Sequence, residues 1–170
     1  MMDKKVRDLM NDQINKELYS AYLYLDFANY YEEMGLKGFA NWFTVQTQEE
    51  RDHAMLLLQY LQKKGEHVEL EPIAKPDVKL ESALGVLQAS LAHEQYVTGL
   101  INDIYAAAYE AKDFATMQFL DWFVKEQVEE EDNATTNIQK MEMFGNDSRG
   151  LYLLDQELGA RVYAAPSLTV

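Results

Sequence analysis

The chain has 170 residues, 48% of them hydrophobic and 26% charged, with a net charge of −14 and no cysteine. That length suits one domain with a sizeable core, and the missing thiols exclude disulfides, Cys-ligated metal and thiol catalysis. The acidic balance, with no local basic patch, repels phosphate backbones and predicts no nucleic-acid partner, while an acidic surface attracts cations.

The N-terminus, MMDKKVRDLMNDQINKE, has neither the apolar stretch nor the cleavage pattern of a secretory signal. No run of about 18 apolar residues occurs, so no membrane span and a cytoplasmic location are expected. Helical periodicity covers about 5–33, about 37–64, about 81–110 and about 114–143, and a shorter segment at about 147–158 starts at Asp147 or Ser148. The first pair is joined by the short EMGLK and the last pair by AKD, which makes each an antiparallel hairpin. Between the second and third lies GEHVELEPIAKPDVKL, holding two of the three prolines. About fifteen extended residues reach about 50 Å, enough to run the length of a helix of about 42 Å, so the second and third helices are parallel. The predicted fold is all-α: a four-helix bundle over about 5–144 with one long crossover between helices two and three, plus a short C-terminal fifth helix, in a single domain 1–170.

Bundle cores are lined by residues alternately three and four apart. Helix one offers Val6, Met10, Gln13, Glu17, Ser20, Tyr24, Phe27 and Tyr31; helix two offers Phe39, Phe43, Gln46, Glu50, His53, Leu57 and Tyr60. Helix three offers Leu80, Leu84, Leu87, Leu91, Glu94, Thr98, Ile101, Tyr105 and Ala108. Helix four offers Thr116, Leu120, Phe123, Gln127, Glu130, Ala134, Asn137, Met141 and Phe144. Each seam is apolar at its ends and polar near its middle. The ionisable members are Glu17, Glu50, His53, Glu94 and Glu130, with no Lys or Arg among them, and mid-helix positions share one layer. Unpartnered buried carboxylates cost several kcal/mol each and repel one another; two divalent cations would balance four of them. An imidazole among the carboxylates favours iron, manganese or zinc over magnesium or calcium. Glu50 and His53 form a Glu-x-x-His motif on one helical face, and Glu50 is placed to bridge two ions about 3.5–4 Å apart. The motif alone is weak; with acidic or amide residues at matching depth on three other helices it is specific.

The stretches NKELYSAYLY (15–24), QEERDH (48–53), AHEQ (92–95) and WFVKEQVEEED (122–132) resemble the bacterial non-haem ferritins, and the resemblance covers nearly the whole chain. The ligand arrangement it implies is the established one of di-iron carboxylate bundles: Glu17, Glu50 and His53 around one iron, and Glu50, Glu94 and Glu130, with Gln127 alongside, around the second. It further implies a third iron at Glu49, Glu126 and Glu129, and a tyrosine beside the pair at Tyr24. Trp122 also matches. Helix four has Gln127-Val-Glu-Glu130 where a symmetric di-iron bundle has a second Glu-x-x-His, which separates the chain from bacterioferritins and suggests a looser second iron. Arg51 stands where haem-binding relatives have Met, so no haem is expected. Met117 and Leu120 occupy positions of pore carboxylates in animal ferritins, and the nearby Glu110, Asp113 and Asp121 read as solvated surface, which leaves the iron entry route open. His67 in the crossover and His93, expected off the seam, need no special role.

The resemblance therefore implies a ferroxidase and iron store: Fe²⁺ oxidised by O₂ or H₂O₂ and kept as a ferric oxyhydroxide mineral in a homo-oligomeric cage of twenty-four chains, whose four-fold axis the fifth helix lines. Two rivals fit a buried carboxylate layer. A radical-generating or hydroxylating di-iron enzyme is disfavoured by chain length and Gln127. A metal-buffering or purely structural bundle predicts neither oxygen-dependent turnover nor a cage.

Overall fold

The computed structural model describes residues 2–170. Its helices are α1 (Lys4–Glu33), α2 (Lys37–Lys63), α3 (Ala83–Glu110), α4 (Phe114–Phe144) and α5 (Ser148–Gly159). Local chemistry sets the ends. Asp3, Ser82, Asp113 and Asp147 cap the starts of α1, α3, α4 and α5 with side-chain oxygens on free backbone N–H groups. Gly35 and Gly65, at φ 77° and 76°, supply the left-handed residue that ends α1 and α2. At the α3–α4 turn this role falls to Lys112, at φ 55°.

The crossover runs up the flank of α1. Asn11 pairs with the backbone of Glu69, Asn15 Nδ2 donates to the carbonyls of Glu71 and Pro72, and Tyr31 Oη donates to Ala83 O at 2.6 Å. The chain thus enters α3 beside the end of α1, and α3 runs parallel to α2 as expected. The two crossover-free hairpins, α1–α2 and α3–α4, form the bundle.

All eight seam residues of helix one and all seven of helix two are buried. The α3 seam is displaced: Ala83, Val86, Leu87, Ser90, Glu94, Val97, Ile101, Ile104, Ala107 and Ala108 are buried, while Leu84, Leu91, Thr98 and Tyr105 are only half-buried. Beside Tyr31 and Tyr24 the inward positions of α3 are the small Ala83 and Ser90, and Leu84 and Leu91 turn to the flank. On α4, Phe144 is exposed and Ala134 and Met141 are half-buried.

The core falls into two apolar blocks. One holds Val6, Met10, Ile14, Leu57, Leu61, Ile101, Leu120 and Phe123. The other holds Tyr24, Phe27, Tyr31, Phe39, Phe43, Leu87, Leu154 and Leu158, with Tyr31 stacked on Phe39 and Phe43 at centroid distances of 5.0 and 5.6 Å. The mid-helix polar residues lie between them.

Helix α5 docks on its own chain. Leu36, at the start of α2, gives no side-chain cap; instead Asp155 Oδ1 of α5 accepts from the N–H groups of Gly38 and Phe39 at 2.8 and 3.1 Å, placing a carboxylate at the positive end of the α2 dipole. Leu154 and Leu158 are buried alongside, while Tyr152 and Leu153 stay exposed. The approach requires glycine: a Cβ on Gly38 would lie 1.6 Å from the Asp155 carbonyl oxygen. Gly38→Ala is expected to undock α5 and cost about 2 kcal/mol or more, read by chemical denaturation; unchanged stability would mean that the α2–α5 contact contributes nothing.

Candidate metal centre

Between the two blocks, Glu17 from α1, Glu50 and His53 from α2, Glu94 from α3, and Gln127 and Glu130 from α4 are all buried, from 1% exposure at Glu17 to 7% at Glu130. Helical phase places them there: each sits on a seam flanked above and below by large apolar residues, which carry the polar groups inward. Ligand atoms of Glu17, Glu50 and His53 lie within 4.8 Å of one another, as do those of His53, Glu126 and Glu130. Among the described residues Glu94 joins no such three-ligand group. Its carboxylate instead accepts from Tyr24 Oη and, at 3.1 Å, from Gln127 Nε2.

Amide side chains order the rest. Gln13 Nε2 donates to Glu17 at 2.8 Å, and Gln46 Nε2 donates to both Glu50 and Glu130 at 2.8 and 2.9 Å. His53 Nδ1 lies 3.4 Å from Glu50. Among the described residues, Glu17 Oε2 is the one buried side-chain oxygen or nitrogen that no neighbouring N–H or O–H reaches; it faces the Glu50 carboxylate and is left without a partner once Glu17 ionises. Such an atom normally has a partner, and a bound cation would provide one.

Protonation follows from burial. Desolvation and the neighbouring Glu50 charge push Glu17 up to about 8, and the same two causes push Glu94 up to about 8. Burial, with Glu94 and Glu50 nearby, raises Glu130 well above the carboxylate range. Burial also works against ionised Glu50, but His53 and the surrounding hydrogen bonds win and hold it below its ordinary value. His53, disfavoured as a cation by burial, is raised to about 10 by Glu50, Glu17 and Glu130. Without metal, the layer near neutral pH is one Glu50–His53 ion pair among protonated carboxyls, close to zero net charge.

The outer residues differ in setting. Glu49 and Glu126 are half-buried and Glu129 is exposed. Burial raises Glu49 and Glu126, with nearby His53 opposing the shift in both. Two contacts escaped the sequence reading. Arg161, beyond α5, reaches Glu49 Oε2 at 2.5 Å and Gln46 Oε1 at 2.9 Å; it lies outside every periodic segment, so no spacing rule finds it. His93 turns inward rather than away, pairing with Ser20 Oγ at 2.7 Å and standing edge-on to Tyr24. Trp122 packs edge-on to His53 with centroids 5.4 Å apart, and its Nε1–H donates to Ser167.

Leu120 and the acidic residues around the start of α4 have structural partners. Leu120 is core, Glu110 pairs with Lys5, Asp113 caps α4 and Asp121 accepts from Tyr105 Oη. Among the described residues no helix is long and apolar enough to cross a membrane.

Residues 7–144 match the family model of the ferritin-like domain. Bacterial non-heme ferritins of Staphylococcus aureus strains USA300 and NCTC 8325 are 38% identical over 163 residues, 96% of this chain and 98% of theirs. The solved open-pore ferritin of the archaeon Archaeoglobus fulgidus is 42% identical with a TM-score of 0.92, over 95% of this chain and 99% of that one. A humanized archaeal ferritin gives 43% and 0.94, over 96% and 99%. With a buried glutamate–histidine cluster able to hold a metal ion at the middle of a bundle of this topology, the chain belongs to the ferritin family of iron-storage proteins.

Proposed function

We propose that the protein is a ferroxidase that oxidises Fe²⁺ at the buried layer and stores the product as a ferric oxyhydroxide mineral inside a cage of twenty-four copies. The observation that carries this reading is the convergence of Glu17, Glu50 and His53 within 4.8 Å, with Glu17 Oε2 reached by no neighbouring N–H or O–H. In this assignment Glu17, Glu50 and His53 hold one iron; Glu50, Glu94 and Glu130, with Gln127 beside them, hold the other; Glu49, Glu126 and Glu129 take a third on its way out. Tyr24 stands next to the pair and orients Glu94 by donating its hydroxyl hydrogen bond to that carboxylate. Two Fe²⁺ each lose one electron, and O₂ with two protons leaves as H₂O₂, or H₂O₂ with two protons leaves as water. Hard anionic oxygens favour Fe³⁺ and so drive the step. The exposed Tyr152 and Leu153 of α5 face other subunits at a four-fold axis, and the chain acts in the cytoplasm as one domain.

Binding must displace protons. Glu17 and Glu94, ordinarily near 4.5, are held near 8, so their contribution to stability is present below their unfolded values and lost as pH rises through about 8. Metal-free protein is expected to lose stability from pH 5 to pH 8, and Zn²⁺ to restore it. Zn²⁺ binding at pH 7 should release at least about one proton per ion, measured by calorimetry in two buffers of different ionisation enthalpy. Binding without proton release would place the metal elsewhere.

The activity test is stopped-flow oxidation of Fe²⁺ loaded anaerobically onto metal-free protein and mixed with oxygen. A fast phase of about two irons per chain is expected, abolished in Glu50→Ala. Oxidation no faster than without protein would leave a metal-binding but non-catalytic bundle.

A further inference from the structure

After α5 the chain turns back over the α2–α4 face, and its contacts there are specific. Asn41 Nδ2 donates to Arg161 O at 3.0 Å, and the Arg161 guanidinium lies over the Trp42 ring, 4.2 Å from its centroid. Tyr163 Oη donates to Asp52 at 2.5 Å, and Ser167 accepts from Trp122. The segment carries one cation to the rim of a strongly acidic site: the side chains of Arg161 and Glu49 are only 15% and 19% exposed.

The fork of Arg161 does two things. One arm neutralises Glu49. The other donates to Gln46 Oε1, which fixes the amide so that its Nε2 donates to Glu50 and Glu130. Arg161 thereby orients two carboxylates of the central layer without touching them.

We infer that Arg161 is a resident counter-cation at the mouth of the metal centre, and that a divalent ion at Glu49 displaces it. Arg161 holds Glu49 Oε2 at 2.5 Å and stands where an approaching ion would meet it, and two cations on one half-buried carboxylate repel. The C-terminal segment is thus a strap that closes over the outer carboxylates when they are empty. Lifting Arg161 frees the Gln46 amide and loosens Glu50 and Glu130 as an ion passes outward. Arg161 is a positioning residue, and this inference rests on the metal-centre assignment above.

The test uses Zn²⁺, which undergoes no redox change, titrated calorimetrically into the assembled metal-free protein and into Arg161→Gln, Arg161→Lys and Glu49→Gln. Two tight ions per chain report the central layer; a weaker ion reports the outer carboxylates. Arg161→Gln is expected to tighten the weaker ion by about tenfold, a direction opposite to simple disruption. Arg161→Lys should return towards wild type, and Glu49→Gln should lose the weaker ion. Two tight ions in every protein, with the weaker ion unchanged or weakened in Arg161→Gln, would overturn the strap alone. Absence of the tight ions from the wild type would overturn the metal-centre assignment, and the strap with it.

Discussion

Everything in this bundle answers to the cost of holding four carboxylates in one dry layer. Glu17, Glu50, Glu94 and Glu130 are buried together; burial first, and the neighbouring charge second, push Glu17, Glu94 and Glu130 towards their protonated forms, while His53 holds Glu50 ionised. The layer stays neutral by holding protons, and the same protons are what an incoming cation must exchange for. A site whose resting state is protonated and whose working state is metallated carries its own linkage between pH, metal and stability.

That cost also explains the amide groups. Gln13, Gln46 and Gln127 each donate to a carboxylate of the layer. An amide partner stabilises a carboxylate oxygen without adding a full charge that would compete with metal. A lysine in any of these places would neutralise the layer permanently. Arg161 is the exception, and it stands at the rim, where it touches Glu49 rather than the central four.

Much of this was legible from spacing. The helices of α1 and α2, their seams, the parallel pairing across the crossover and the depth of Glu17, Glu50, His53, Glu94 and Glu130 all follow from periodicity and chain length. The α3 seam does not, because that helix is apolar over much of its circumference: Leu84 and Leu91 are as plausible inward as Val86 and Ser90, and it is the small Ala83 and Ser90 that meet the tyrosines arriving from α1. Arg161 and the inward turn of His93 depend on tertiary placement alone. Arg161 and Glu49 are 112 residues apart, and the segment that joins them has no period to read. The capping of α2 by Asp155 is hidden in the same way, since nothing local marks a carboxylate on α5 as belonging to the start of α2.

The polar layer has a mechanical consequence as well. It interrupts the apolar core, so the two blocks on either side are joined through the middle only by groups that change partners when protons or ions move. Outside, the crossover spans that gap along α1, with Val68 on one block and Val78 and Leu80 on the other. The C-terminal segment spans it again: α5 anchors in the block that holds Tyr31 through Leu154 and Leu158, and the chain passes Asp52 and Trp122 until Leu168 and Val170 reach the block that holds Leu57. The C-terminus therefore acts as an external tie rod: its apolar anchors at either end keep the halves in register while the charged contacts between those anchors, and the interior beneath them, are remade.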